Sequence, residues 1–229
     1  METVQMRIIA RMHSDLPDKF GIPRQSGLVE ELRSTIVFEP EFRNADALRG
    51  LEDFSHLWII WQFSKAVRED WSPTVRPPRL GGNTRMGVFA TRSPFRPNEI
   101  GLSSVRILGI ETTQNYGTVI HAAGADLMDG TPIFDIKPYI PYCDSHPEAS
   151  GGFTDSAGDF LLDVNTDNNL LLKIPESKRS ALIGILSHDP RPSYQQDPER
   201  VYGLSFAGFN IHFQVKGKTL NIIDIKENE

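Results

Sequence analysis

The sequence predicts a mainly β protein, an antiparallel β-barrel followed by a small α+β module. Three observations carry this expectation. Short stretches rich in β-branched and aromatic residues recur between Gly/Pro turns. No run of long helices alternates with them, which argues against a doubly wound nucleotide-binding fold. Residues Cys143 to Gly158, CDSHPEASGGFTDSAG, form a small, polar break between the two parts. The expected division is a barrel over 1–145, a linker over 146–159 and an α+β domain over 160–229.

Taken in order, Val4 to Met12 mixes apolar and polar residues as an opening strand does, and Leu28 to Phe38 is the next strand candidate. Between them, Phe20 to Gln25 makes a Gly/Pro loop. Asn44 to Leu51 carries a brief helical pattern, and His56 to Phe63 (HLWIIWQF) is short, β-branched and aromatic, which predicts a strand buried on both faces. Met86 to Ala90 is a short strand, Thr91 to Glu99 a Pro-rich loop and Ile100 to Ile110 a strand. Gln114 to Gly117 turns the chain into Thr118 to Ala122 as a hairpin. Asp126 to Pro132 is a tight turn, after which Ile133 to Ile136 and Lys137 to Tyr142 resume extended structure. Past the break, Pro175 to Ser187 predicts a helix with Ala181, Leu182, Ile185 and Leu186 on one side. Three strands follow at Val201 to Phe206, Asn210 to Val215 and Thr219 to Ile225.

Composition narrows the function classes. The single cysteine, Cys143, rules out an intrachain disulfide and a multi-cysteine zinc site. The N-terminus matches no signal peptide, and no run approaches the roughly 20 apolar residues of a spanning helix, so the expected location is cytoplasmic, with no membrane partner. GxSxG, HExxH, GxxxxGK[ST] and a strand-to-helix GxGxxG are all missing, and the six histidines are scattered singly, so no metal is expected.

Against this acidic background of formal charge -6, Arg76 to Arg106 holds six arginines and one acid, Glu99, with no lysine. Arginines in a Gly/Pro-rich segment suit planar, bidentate recognition of phosphate or carboxylate. Three turns with polar tips stand out: Pro23-Arg24-Gln25, Arg92 to Asn98, and Asp126 to Thr131. Converging at one barrel mouth, they would make a pocket for a polar organic ligand, with Arg92 and Arg96 on anionic groups and Asp126 or Asp129 accepting from an ammonium or hydroxyls. Ordinary polar turns, and turn capping by the two aspartates, are the alternative. His56 beside so apolar a run suits a hydrogen-bonded structural residue better than a ligand or base.

Six segments together, PRQ (Pro23 to Gln25), FSHLWIIWQF (Phe54 to Phe63), RPPRLGGNTRMGVFATRSPFRPN (Arg76 to Asn98), IGLS (Ile100 to Ser103), DLMDGTPIFDIKPYIPY (Asp126 to Tyr142) and DPRPSY (Asp189 to Tyr194), closely resemble the TsaA-like family, within it the tRNA methyltransferases called TrmO. The resemblance covers nearly the whole chain in the right order. It implies a homodimeric β-barrel enzyme that uses S-adenosyl-L-methionine to methylate N6 of N6-threonylcarbamoyladenosine at tRNA position 37. Carried over residue by residue, it assigns cofactor contacts to Pro23, Arg24, Gln25, Ser64, Lys65, Arg92, Leu102, Asp126, Leu127, Met128 and Asp129. The segment Asp189, Pro190, Arg191, Pro192 and Tyr194 resembles the family's tRNA-contacting motif, with Arg191 on phosphate and Tyr194 on a base or ribose; a rigid interdomain loop is its other reading.

Given that resemblance, Asn98 or Tyr139 is expected to orient the base or carbamoyl group, and an Asp of the 126–129 turn or water to take the proton. Arg96 or Arg85 suits the substrate's threonine carboxylate. Two departures stand out: Ser64 replaces the family's histidine after WQF, and Glu99 its proline after RPN. Ser64 cannot act as a cation, and Glu99 puts a charge able to pair with Arg96 or Arg92 into the loop. Two other classes stay open: a non-catalytic regulatory module binding S-adenosylmethionine or another nucleotide, and a phosphate-directed hydrolase, which the missing metal ligands disfavour.

Overall fold

The computed structural model describes residues 2–77, 80, 83–155, 161–192, 195 and 197–228. The barrel opens with β1 (Ala10–Ser14), β2 (Arg33–Phe38) and β3 (His56–Gln62). An arm follows, made of two short strands, β4 (Thr74–Val75) and β5 (Met86–Gly87). The chain then enters β6 (Ile100–Thr113), turns into β7 (Gly117–Ala123) and returns as β8 (Pro132–Pro138). Six strands close into an antiparallel barrel in the order β1-β2-β7-β6-β3-β8, and the β1–β8 pair (Ala10 opposite Ile133) shuts it.

Period-two alternation fills the barrel. Leu57, Ile59 and Trp61 of β3 point inward with Met12, Ile36, Val105, Ile120 and Ile133, while Trp58 and Ile60 lie half-buried on the outer face. The expectation of burial on both faces of β3 is therefore met on one face only.

After the barrel comes one helical turn, α1 (Pro141–Asp144), where extended chain was expected. Pro141 suits a first helical position, and the Asp144 carboxylate accepts the Ile140 N–H at 2.8 Å and Trp58 Nε1–H at 2.9 Å. The C-terminal module holds β9 (Asp163–Asn165), α2 (Asn168–Leu171), α3 (Glu176–Ser187), β10 (Tyr202–Phe206), β11 (Phe209–Lys216) and β12 (Thr219–Glu227). Its sheet runs β10-β11-β12-β9, the last pair parallel. Ala181, Leu182, Ile185 and Leu186 of α3 are all buried, the side the spacing predicts.

Several boundaries shift. β1 starts at Ala10 and β2 at Arg33, because Leu16, Val29 and Leu32 of the intervening segment leave the barrel and pack into the core of the C-terminal module with α3, Leu204 and Phe213. The β1–β2 connection is thus shared by both parts, and His188 Nε2 lies 3.0 Å from the Leu28 carbonyl beside it. Gly21 has φ +94°, a conformation that favours glycine, and a Cβ there would meet the buried Leu204 Cδ1 at 2.1 Å, so the connection passes close against the core side chains. Residues 45–48 and 51–53 form 3-10 turns where the helical pattern sits, and β5 lasts two residues before a 3-10 turn at Val88–Ala90.

Candidate active site

β7 pairs with β6 only from Arg106 onward, which leaves the β7-facing side of Ile100–Val105 to loops. The Pro23–Gly27 loop takes that place, with Ser104 N–H donating to Ser26 Oγ at 3.2 Å. Gly27 N–H donates to the Gly124 carbonyl at 2.8 Å, and both glycines have positive φ, +82° and +78°. A Cβ on Gly124 would sit 3.3 Å from Gly27 Cα, so the two turns approach at backbone distance. Two of the three polar turns singled out in the sequence therefore meet here. The third joins through Arg92, whose Nη1 donates to Gln25 Oε1.

Beneath them runs a chain of side-chain hydrogen bonds from the barrel interior: Trp61 Nε1–H donates to Ser103 Oγ at 2.9 Å, and Ser103 Oγ–H donates to Asp126 Oδ1 at 2.6 Å. Gly101 stands opposite Trp61, and a Cβ there would come within 2.3 Å of the indole. Burial pushes the Asp126 carboxyl above the ordinary carboxylate range, and the Ser103 bond, its own and Ser26 backbone bonds and the Arg92 charge offset part of that. Ser103, Ser26 and Trp61 were not singled out from sequence. The available signal was the glycine facing a large inward aromatic, two residues before an inward serine.

The rest of the 126–129 turn divides. Leu127 is fully buried in the barrel core, so only its backbone can meet a ligand. Met128 is half-buried, and its carbonyl accepts Thr131 Oγ1–H at 2.6 Å. Asp129 accepts the Ser14 N–H at 3.0 Å, the capping arrangement set beside its functional reading above. Asp129 also lines a recess of about 500 Å³ on the outer face of β1, β2 and β7, with His13, Arg33, His121 and Lys178, away from Arg92 and Gln25.

In the arginine segment, Arg92 and Arg85 are exposed, the latter 3.5 Å from Thr74 Oγ1. Arg96 braces its own loop: Nη1 donates to the carbonyls of Thr91 (2.6 Å) and Val88 (3.2 Å). Among the described residues no ion pair joins Glu99 to Arg96 or Arg92, the pairing its charge suggested; the Glu99 carbonyl accepts the Phe63 N–H at 2.8 Å. Ser64 and Lys65 follow β3, and the Lys65 carbonyl accepts from Lys19 Nζ. Leu102 is 56% exposed on the outer face of β6. Pro23 is buried and Arg24 exposed. Pro78 and Arg79 of the segment, and Tyr194, lie outside the described residues.

Asn98 and Tyr139 are not brought together within one chain. Asn98 sits by the Gln62 end of β3, where Ile100 pairs, whereas the Tyr139 N–H bonds the His56 carbonyl at the other end; seven residues of strand put these ends about 20 Å apart. Arg191 is also committed: its Nε and Nη2 hold the two oxygens of Asp189 at 2.8 and 3.0 Å. Among the described residues no group of three His, Cys, Asp or Glu is placed to hold a metal ion, and no helix is long and apolar enough to cross a membrane.

Two family models match the chain, the tRNA-methyltransferase O N-terminal domain over residues 11–145 and the TrmO C-terminal domain over residues 162–228. The chain belongs to the tRNA-methyltransferase O family. It is 40% identical over 223 residues to the tRNA (adenine(37)-N6)-methyltransferase of Escherichia coli strain K12, covering 94% of each chain. To a putative S-adenosylmethionine-dependent methyltransferase RcsF of Pseudomonas aeruginosa strain PAO1 it is 36% identical over 227 residues, 95% of each chain. A crystal structure of TrmO from P. aeruginosa matches with a TM-score of 0.81 at 31% identity, covering 100% of this chain and 99% of that one. The TrmO family resemblance seen in the six sequence segments is thus met along the chain, and the barrel with its C-terminal sheet is the architecture shared with the solved TrmO.

Proposed function

We propose that this protein is an S-adenosyl-L-methionine-dependent tRNA methyltransferase that methylates N6 of N6-threonylcarbamoyladenosine at tRNA position 37. The observation that carries the proposal is end-to-end similarity to the E. coli tRNA (adenine(37)-N6)-methyltransferase in a chain that joins Arg92, Gln25 and Asp126 over the open side of β6. The donor set fits the cofactor. Arg92 and the Gln25 amide suit its carboxylate and hydroxyls, and exposed Leu102 offers apolar surface for the adenine. When bound, the cofactor supplies an electrophilic methyl group.

The chain's own work is positioning and proton transfer. The target nitrogen is conjugated to a purine and a carbamoyl group, so its proton must leave as the new N–C bond forms. Asp126 is the better placed acceptor of the two turn aspartates: burial makes its carboxylate more basic, whereas Asp129 is bonded to the Ser14 N–H. Arg85 is exposed and, among the described residues, held only by a long 3.5 Å contact to Thr74 Oγ1, which suits it to meet the threonine carboxylate, while Arg96 holds the loop that carries Arg92.

In this proposal residues 1–145 hold the cofactor, 146–159 link, and 160–229 contact tRNA. The protein works in the cytoplasm as a homodimer. The outer face of β6, β3 and β8 supports the dimer: Ile100 and Leu102 are exposed beside half-buried Ile60 and Trp58. A dimer would also let Tyr139 of one chain approach the Asn98 end of the other, which a single chain forbids. Incubation with methyl-labelled S-adenosylmethionine tests the reaction. Label is expected in tRNA that carries threonylcarbamoyladenosine and not in tRNA lacking it. Cofactor binding without transfer would replace the enzyme with a non-catalytic binding module.

A further inference from the structure

We infer that Trp71 and Phe89 form an aromatic stacking platform for unpaired anticodon-loop nucleotides beside the target adenosine. This rests on the methyltransferase reading and adds an RNA site to it. The two rings lie 6.1 Å apart at 30°, a stacked pair, and are 52% and 70% exposed. Single exposed apolar side chains are common, but two large rings stacked on each other in the open make a contiguous apolar patch of the kind that marks interaction sites. They flank the base of the arm, where Val88 N–H donates to the Pro73 carbonyl at 2.9 Å and the Val88 side chain is buried, so the pair is set on a fixed support. Arg96 stiffens the same turn through its bonds to Val88 and Thr91, and its guanidinium lies 5.8 Å from the Phe89 ring centre.

Charge selects the occupant. Residues 68–96 carry six arginines against Glu69 and Asp70, in a chain whose formal charge is -6. Open aromatic faces set among arginines match the stacking and backbone demands of single-stranded RNA. Aromatic rings and arginines also suit contacts between protein copies, but a two-fold contact would set this positive segment against itself, whereas RNA brings phosphates to it. Position agrees: Phe89 lies three residues before Arg92, the residue that holds Gln25. Presenting N6 of a base to a methyl donor takes that base out of its stack, and its neighbours then need a replacement face. Trp71 and Phe89 supply one.

The test uses the full chain and a synthetic anticodon stem-loop RNA carrying N6-threonylcarbamoyladenosine. Trp71→Leu and Phe89→Leu are expected to weaken RNA binding about 5- to 150-fold each and to raise KM for tRNA accordingly. Calorimetric affinity for S-adenosylmethionine should stay at the wild-type value. Trp71→Phe and Phe89→Tyr should restore RNA affinity, because the face rather than the apolar volume matters. RNA should quench wild-type tryptophan fluorescence and quench it far less in Trp71→Phe. Leucine variants that bind RNA as tightly as a methylating wild type overturn the platform and leave the enzyme reading intact. Leucine variants that change the sedimentation of the free protein while keeping RNA affinity assign the rings to a second copy and overturn it as well. A wild type that neither binds nor methylates the RNA defeats the enzyme reading itself, and the platform with it.

Discussion

Arg24 donates through Nη2 to the backbone carbonyl of Asp189 at 3.3 Å, tying the Pro23–Gly27 loop to the turn that ends α3. Asp189 has φ +49°, a left-handed conformation that Asp tolerates, and its carboxylate is gripped by Arg191, whose side chain is only 11% exposed. The C-terminal module therefore braces the proposed cofactor loop.

Arg191→Ala leaves the Asp189 carboxylate without its partner and frees the turn, so affinity for S-adenosylmethionine should fall several-fold along with stability. Asp189→Gly keeps the backbone conformation but removes the carboxylate, and should weaken cofactor binding similarly. Calorimetry reads both; wild-type cofactor affinity in the two variants would mean that the turn does not position the loop.

Asp126 gives a pH signature. Its folded pKa lies above the unfolded value of 3.8, so the folded state holds the proton longer. The resulting stability is present at low pH and is lost as pH rises from 3.8 through the folded value. Asp126→Asn lacks this loss, so urea unfolding at a series of pH values should show its stability relative to wild type growing upward from pH 3.8. The same variant should lower turnover about 10²-fold or more if Asp126 accepts the proton. A flat difference across pH would contradict the linkage.

Gly101→Ala places a Cβ within 2.3 Å of the Trp61 ring, against buried indole rather than a flexible chain end. The overpacking should cost about 1–3 kcal/mol and lower the melting temperature by roughly 2–10 °C. It also pulls Trp61 from Ser103, so Asp126 loses part of its support. An unchanged melting curve would show that the ring moves aside freely.

Leu32→Ala empties a fully packed position that precedes β2 yet belongs to the C-terminal core. It should cost about 2–5 kcal/mol, and hydrogen exchange should report faster opening in β10 and β11 than in β3. Loosening confined to the barrel would mean that Leu32 supports the barrel and not the C-terminal core.

Local physics made much of this protein legible in its sequence. Gly/Pro turns and alternating strands predict the barrel, and the spacing of Ala181, Leu182, Ile185 and Leu186 marks the buried side of α3 before any partner is known. The six matched segments carry the family. Missed elements are those that local patterns do not encode: β9 is three residues long and pairs in parallel with a strand far along the chain, and α2 is one turn.

The sequence by itself determined the barrel class, the helix face, the family and the three polar turns, because each depends on residues close together along the chain. Only the tertiary structure decided that Leu16, Val29 and Leu32 pack into the C-terminal core, that Asp126 rather than Asp129 joins Ser103, that Arg191 is spent on Asp189, and that Asn98 and Tyr139 stand at opposite ends of β3. These outcomes follow from barrel closure and from which buried polar groups find partners, and both are set by contacts between segments distant in the chain.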